Sequence, residues 1–317
     1  MTKRSHRFEK MARVYDEEIL PVWSQRFGRM LLRELELPPK AVVLDVACGT
    51  GYPATEILKE LDDGGRVIAI EAIGALLDVA RKKFGELSGK RIFFRTETLS
   101  SKLAFADEVY DLVVSNLGLL ERDDPPAAVC EFARVTKPGG HVAITLPLAG
   151  TFAEFYDVYR EVLTKADRDD LLAKLEAHVA RMPTPEKARA WLEGAELEDV
   201  EVEVEEFRLL FRSSREFFFA PVIEYGPLAA WKEIAGKGEQ MQEIFWQIKN
   251  AIDAYYEGRA FDVSVVAGCL RGNKAAKFDL ENTPIAASKV PVDDAGPEAT
   301  IVEKFHLSED EDDDETN

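Results

Sequence analysis

The chain has 317 residues, with 40 lysines and arginines against 59 aspartates and glutamates, a formal net charge of −19 and 46% hydrophobic residues. That charge argues against non-specific binding to nucleic acid, and the apolar content is ample for one large domain or two small ones. No apolar run reaches membrane-spanning length, no apolar stretch follows the opening Met-Thr-Lys-Arg-Ser-His-Arg, and Cys48, Cys130 and Cys269 are too scattered for a disulfide frame or a zinc site. The expectation is a cytoplasmic protein without a membrane span or a bound metal.

The chain begins with apolar residues at helical spacing, Phe8, Met11, Ala12 and Tyr15 and then Ile19 through Leu32, broken at Pro21. The stretch that organises the rest follows: Ala41-Val-Val-Leu-Asp45-Val-Ala-Cys-Gly49-Thr-Gly51. Val42, Val43, Leu44 and Val46 are apolar on both alternating faces, as in a central parallel strand covered by helices on each side. Gly49 and Gly51 permit a sharp turn and close approach of a ligand, and a helix predicted over residues 52–61 aims its free N–H groups at the same place. Gly49-x-Gly51-x-x-Ala54, with Glu71 about 20 residues on, also fits a dinucleotide-binding pattern. Asp45 discriminates between ligands. A carboxylate at the strand end repels a pyrophosphate and suits a ligand with an ammonium and a sulfonium, an attraction of roughly 1 to 4 kcal/mol at a few ångströms for dielectrics of about 80 to 20.

Strands and helices then alternate with short connections as far as residue 146, the pattern of a doubly wound parallel sheet. A strand over 66–70 is closed by Glu71. A helix over 75–85 turns Leu76, Leu77, Val79, Ala80 and Phe84 inward, and a strand over 91–95 follows. Asp124-Pro-Pro-Ala is an N-cap acid with prolines in the first helical turn, and Lys137-Pro-Gly-Gly140 is expected to stop that helix before a strand over 141–146. His141 is expected to be an ordinary polar strand end.

At four places the sequence resembles the class I S-adenosylmethionine-dependent methyltransferases. Asp45-Val-Ala-Cys-Gly-Thr-Gly51 is similar to the family's first motif, with Ala47 in place of its first glycine, and Glu71 stands where the family keeps an acid for the ribose hydroxyls. Asp111-Leu-Val-Val-Ser-Asn116-Leu-Gly-Leu-Leu120 resembles the fourth strand and the loop under the cofactor, and Arg134-Val-Thr-Lys-Pro138-Gly-Gly140 the turn before the fifth. The resemblance covers about residues 8 to 272. It implies S-adenosylmethionine as cosubstrate and a Rossmann-like doubly wound seven-stranded α/β sheet with a final antiparallel strand. Residues 1–40 become a helical lid, 41–147 the cofactor-binding core, 148–195 a helical substrate cover inserted between strands five and six, and 196–272 the last strands and helix. Cofactor contacts are implied at Tyr15, Asp45, Ala47, Cys48, Gly49, Gly51, Glu71, Ala72, Thr98, Leu99, Asn116 and Leu117. Relatives also carry an adenine-binding acid before a Leu-Pro-Phe; here Leu103-Ala-Phe105 is present, but the matching positions are Thr98 and Leu99, and Glu97 is the nearest acid. An unpaired group there costs roughly 1 to 3 kcal/mol.

After residue 146 helices are expected over 151–164, 167–181 and 184–194, then a strand over 200–211, a helix over 239–257 and a strand over 262–270. Phe217-Phe-Phe219, Trp231, Phe245 and Trp246 make this the most aromatic part of the chain, and core packing is the default expectation for them, with an apolar substrate pocket as the alternative. Residues 273–317 hold four lysines and thirteen acids, a net −9, with three prolines and no apolar period. They are expected to be disordered, a solubilising appendage or a tether for a basic protein partner.

Methyl transfer from a sulfonium needs alignment and exclusion of water more than a fixed catalytic residue, and alignment alone can account for about 7 to 11 kcal/mol of barrier lowering. Tyr15 and His178 are the candidates for a direct role. No Asn-Pro-Pro-Tyr run follows the fourth strand, which favours a small-molecule oxygen, carbon or nitrogen acceptor. The aromatic second half and the Ser115-Asn-Leu-Gly-Leu-Leu loop are similar to the quinone-biosynthesis and carrier-protein methyl-ester branches. A methyltransferase-like binding protein without turnover is the alternative from another class.

Overall fold

In the computed structural model, which describes residues 3–33, 35, 37–97 and 102–276, the central strand is β1 (Val42–Val46). Parallel neighbours flank it: β2 (Arg66–Glu71) and then β3 (Ile92–Thr96) on one side, β4 (Tyr110–Asn116) and β5 (Thr136–Pro147) on the other. The late strands β6 (Leu197–Phe211) and β7 (Phe261–Lys274) complete the order β3-β2-β1-β4-β5-β7-β6, with β7 antiparallel to both of its neighbours. This is the Rossmann-like sheet expected. The order reverses at β1 and β4, whose C-terminal ends therefore diverge into a crevice, the place where ligands bind in such sheets.

The helices are α1 (Lys3–Val14), α2 (Ser24–Leu32), α3 (Ala54–Glu60), α4 (Gly74–Phe84), α5 (Pro125–Val135), α6 (Ala153–Lys165), α7 (Asp169–Val179), α8 (Pro185–Gly194), α9 (Ser214–Phe219), α10 (Pro221–Glu224), α11 (Leu228–Ala235) and α12 (Gly238–Tyr255). A π-helical turn, Tyr15–Ile19, joins α1 to the Pro21 break. Alternation along the strands builds two cores. Val43, Val67, Leu112 and Val114 pack with Phe27 and Leu31 of α2, Ile57 of α3 and Leu77 and Phe84 of α4. Leu44, Val46, Ile70, Val113 and Ile144 pack on the opposite face with Val129 and Phe132 of α5 and Leu192 of α8. In α4, Leu76, Leu77, Ala80 and Phe84 are buried as the pattern predicts, and Val79 is half-buried.

Three expectations change. Strand β5 starts at Thr136, paired with Tyr110, because Lys137 to Gly140 form a bulge within the pairing with β4 rather than a turn before it. The aromatic second half is mostly core, with Phe155 stacked on Trp231 at 4.0 Å and Phe217 and Phe261 fully buried, yet Phe219 and Trp246 lie at the surface, 68% and 64% exposed. Strand β7 also runs past its expected end at residue 270 to Lys274, whose ammonium donates to the Ala133 and Thr136 carbonyls at 2.9 Å. The remainder of the acidic tail, residues 277–317, lies outside the described residues. Among the described residues no helix is long and apolar enough to cross a membrane. His141 is a strand-end partner, with Nδ1 2.7 Å from Asn273 Oδ1.

Candidate active site

The chain leaves β1 through Ala47, Gly49 and Gly51, all with positive φ (61°, 55° and 96°). Glycine adopts that region freely, and Ala47 does so at a cost of roughly 1 to 2 kcal/mol. The close packing explains why a side chain is excluded: a Cβ on Gly51 would stand 2.6 Å from the Phe84 ring. One on Gly49 would stand 3.4 Å from the Tyr15 ring, so this tyrosine lies against the turn. Its hydroxyl is 2.9 Å from Ser24 Oγ, which ties the π-helical turn to the start of α2. Asp16 Oδ1 accepts from Thr50 Oγ1 at 2.6 Å and from Lys83 of α4. The Tyr15-Asp16 pair thus fastens the lid to the glycine turn.

Two carboxylates meet behind this turn. Glu71, 6% exposed, accepts from the Gly49 N–H at 3.1 Å and from the Ile73 N–H at 3.0 Å. Asp45 is fully buried, and neither of its oxygens has a hydrogen-bond partner among the described residues. Burial pushes its carboxyl up to about 7, the nearby Glu71 charge adds to the rise, and the Ala54 amide offsets a little without meeting hydrogen-bond geometry. A buried carboxyl left in this state is one that a cation can stabilise. Cys48 is equally buried, and desolvation pushes its thiol up, which fits a small packing side chain rather than a reactive one.

A cavity of about 820 Å³ opens beside the turn, at the crevice between the β1 and β4 ends. Tyr15, Ala47, Gly49, Glu71, Asn116, Leu117 and His178 line it, whereas Asp45, Cys48, Gly51 and Ala72 stand behind or beside it. Thr98 and Leu99 lie outside the described residues. Glu97 does not line the cavity; its Oε1 accepts from the Ala104 N–H at 3.1 Å and its Oε2 lies 3.1 Å from Arg95 Nε. The Asn116 amide is engaged on both sides: Nδ2 donates to the Ser24 carbonyl at 3.1 Å and Oδ1 accepts from Thr145 Oγ1 at 2.6 Å. It therefore clamps the lid to the ends of β4 and β5.

The other half of the cavity is aromatic and was not evident in the sequence. Trp23 from the lid stacks on Phe152 at 6.0 Å, and Tyr156, Trp191, Met182 and Tyr225 continue the lining. Residues 148–195 were expected to cover the substrate, but none of these side chains stood out, because the cavity is assembled from the lid, α6, α7, α8 and the loop after α10. His178 of α7 lies 6.2 Å from the Tyr156 ring, centroid to centroid. Partial burial, helped by the Arg181 charge, holds its imidazole below its ordinary value. It is accordingly neutral at pH 7 and able to accept a proton. Burial keeps the Tyr156 phenol protonated, pushed up to about 12.

An order-reversing sheet, a carboxylate-backed glycine turn and a clamped lid define a class, and the chain belongs to it: the class I S-adenosylmethionine-dependent methyltransferases. Its residues 43–140 match the profile of a methyltransferase domain. The chain is 32% identical to demethylmenaquinone methyltransferase of Mycolicibacterium vanbaalenii over 199 residues, 60% of this chain and 80% of that protein. It is 30% identical to the protein of the same name from Mycobacterium tuberculosis over 199 residues, 60% and 78% of the two chains. Among solved structures, the fold is similar to the YcgJ protein of Bacillus subtilis (TM-score 0.53, 15% identity, 80% of this chain and all of that one). A Bacillus halodurans protein assigned as a methyltransferase is comparably similar (TM-score 0.52, 18% identity, 78% and 99% of the two chains).

Proposed function

We propose that this protein transfers a methyl group from S-adenosylmethionine to a small-molecule acceptor at oxygen, carbon or nitrogen. The observation that carries the reading is the Gly49 amide donating to Glu71. In a dinucleotide site that amide faces a pyrophosphate; here a carboxylate already occupies it, with buried Asp45 behind, so the turn favours a cationic, phosphate-free ligand. Glu71 retains lone pairs for ribose hydroxyls, and Asp45 and Glu71 together supply the negative potential for an ammonium and a sulfonium. When bound, the cosubstrate supplies a methyl group already activated on sulfur. The chain aligns and shields: Tyr15 covers the turn, and Trp23, Phe152 and Tyr156 provide an apolar surface for the acceptor. Where the acceptor atom carries a proton, the neutral His178 imidazole takes it. The name of the mycobacterial relatives, demethylmenaquinone methyltransferase, supports a small-molecule acceptor.

A binding protein without turnover is the second reading. Its support is the missing adenine acid, since Glu97, the nearest carboxylate, accepts from the Ala104 N–H at 3.1 Å and stands outside the cavity lining. Calorimetry separates ligands and a methyl-release assay separates activities. S-adenosylmethionine is expected to bind with a micromolar Kd, and Gly49→Val, with a branched side chain at φ 55°, to abolish binding. NAD binding in its place would overturn both readings.

A further inference from the structure

Two basic side chains in the cavity lining lack the carboxylate partners that several arginines of this chain have. Arg33, Arg81, Arg134, Arg160, Arg168 and Arg208 each pair with a carboxylate. Arg181, just after α7, and Lys187, in the first turns of α8, line the cavity from two successive segments, and neither side chain has an ion pair or hydrogen bond among the described residues. Two of the carboxylates that share the lining are committed elsewhere. Glu71 is held by the Gly49 and Ile73 amides at the glycine turn, and Asp124 caps α5 by accepting from the Ala127 N–H at 3.1 Å. Asp123 and Arg122 lie beside Asp124 on the loop that leads into α5. In a chain of net charge −19 the general field repels anions, and a local pair of cations is what admits one.

The same cavity lining holds a hydroxyl with spare donor capacity. Tyr156 Oη accepts from Trp231 Nε1 at 3.1 Å, and Trp231 is itself fixed by the Tyr159 hydroxyl donating to its carbonyl at 2.9 Å. The Tyr156 residue is 2% exposed and lines the cavity, and its own proton has no acceptor among the described residues. Buried donors ordinarily have partners, so this one calls for an acceptor atom on a ligand.

Resting on the methyltransferase reading above, we propose that the methyl acceptor is an apolar, ring-bearing small molecule with one anionic substituent, a carboxylate or a phosphate. Arg181 and Lys187 receive the anion at the rim, Tyr156 donates to an oxygen of the acceptor deeper in the cavity, and Trp23 and Trp191 pack against its body. The three polar contacts fix both ends of the acceptor, which orients the reacting atom toward the glycine turn.

The full chain is incubated with methyl-labelled S-adenosylmethionine and a small-molecule metabolite extract, and the labelled products are separated by anion exchange at neutral pH. The expected product is retained on the column, and phosphatase treatment distinguishes the two anions, abolishing retention of a phosphate and sparing a carboxylate. With that product's acceptor, Arg181→Gln and Lys187→Gln are expected to raise KM roughly tenfold to a hundredfold with kcat little changed. Arg181→Lys should recover most of the loss, and S-adenosylmethionine affinity should be unaltered in all three. A labelled product that passes unretained, or variants that leave KM unchanged, overturn the proposal while leaving the methyltransferase reading in place. A parallel loss of S-adenosylmethionine affinity would assign the two cations to the cosubstrate's own carboxylate and overturn it as well. Protein that binds S-adenosylmethionine but labels nothing in the extract overturns the turnover reading and this proposal together.

Discussion

Asp16 of the lid and Thr50 of the glycine turn are joined by a 2.6 Å hydrogen bond, and Lys83 of α4 closes on the same Asp16 oxygen. Three segments far apart in sequence therefore meet at one carboxylate beside the cofactor turn. Asp16→Ala removes the contact without touching the cavity wall. We expect S-adenosylmethionine affinity to fall about fivefold to thirtyfold, the worth of one to two charge-assisted bonds, with a smaller effect on unfolding. Calorimetry measures the first and urea denaturation the second. Limited trypsin digestion should also cut faster at Arg13, Arg26 and Arg29 as the lid loosens.

Asp45 makes the ligand-free fold and the loaded fold respond oppositely to pH. Its carboxyl lies at about 7 in the folded chain against 3.8 for the free group. The folded state thus holds an extra proton between those values, and stability falls as pH rises from about 4 to 7, by roughly 4 kcal/mol in total from this group. Asp45→Asn should flatten that dependence and stabilise the ligand-free protein at pH 8. Cation binding requires the carboxylate, so wild-type affinity for S-adenosylmethionine should weaken toward tenfold per unit below pH 7, with a proton released on binding. Thermal melts across pH test the first, and calorimetry in buffers of different ionisation enthalpy tests the second. An unchanged affinity in the Asn variant would remove Asp45 from the ligand's electrostatics.

Gly118 and Ala47 are coupled by contact. A Cβ on Gly118 would stand 2.4 Å from the Ala47 Cβ and 2.9 Å from Ser115 Oγ. Gly118→Ala should destabilise by about 1 to 3 kcal/mol through overpacking alone, since Gly118 sits at an ordinary φ of −83°. Ala47→Gly removes the opposing methyl and relieves the left-handed backbone at position 47, so the double variant should regain most of the loss. Urea denaturation of the two single variants and the double variant gives the coupling energy.

Much of the cofactor half was legible because its determinants are local. The glycine turn needs positive φ at Gly49 and Gly51, Asp124 carries its own helix start in Asp-Pro-Pro, and Thr184 does the same for α8 by accepting from the Lys187 N–H at 3.2 Å. Strand β5 misled because Pro138-Gly139-Gly140 has the chemistry of a turn, while only the Thr136 to Tyr110 pairing reveals a bulge. The acceptor half depends on tertiary placement. Nothing in the spacing of Tyr156, His178, Arg181 and Lys187 says that α6, α7 and α8 converge on one cavity. The aromatic count likewise could not separate buried Trp231 from exposed Trp246, which differ in which side of a helix meets the core.

Strand β6 borders the sheet over fifteen residues, with Glu198, Glu201, Glu203, Glu205 and Glu206 along its first two-thirds. A ribbon of that length with free amides and carbonyls is ordinarily a template on which another molecule zips up. Two such rims brought face to face would set row against row of like charge, and Arg33 neutralises only part of it through Glu203 and Glu205. The border of the sheet is thereby kept from growing into a larger one by its own row of acids.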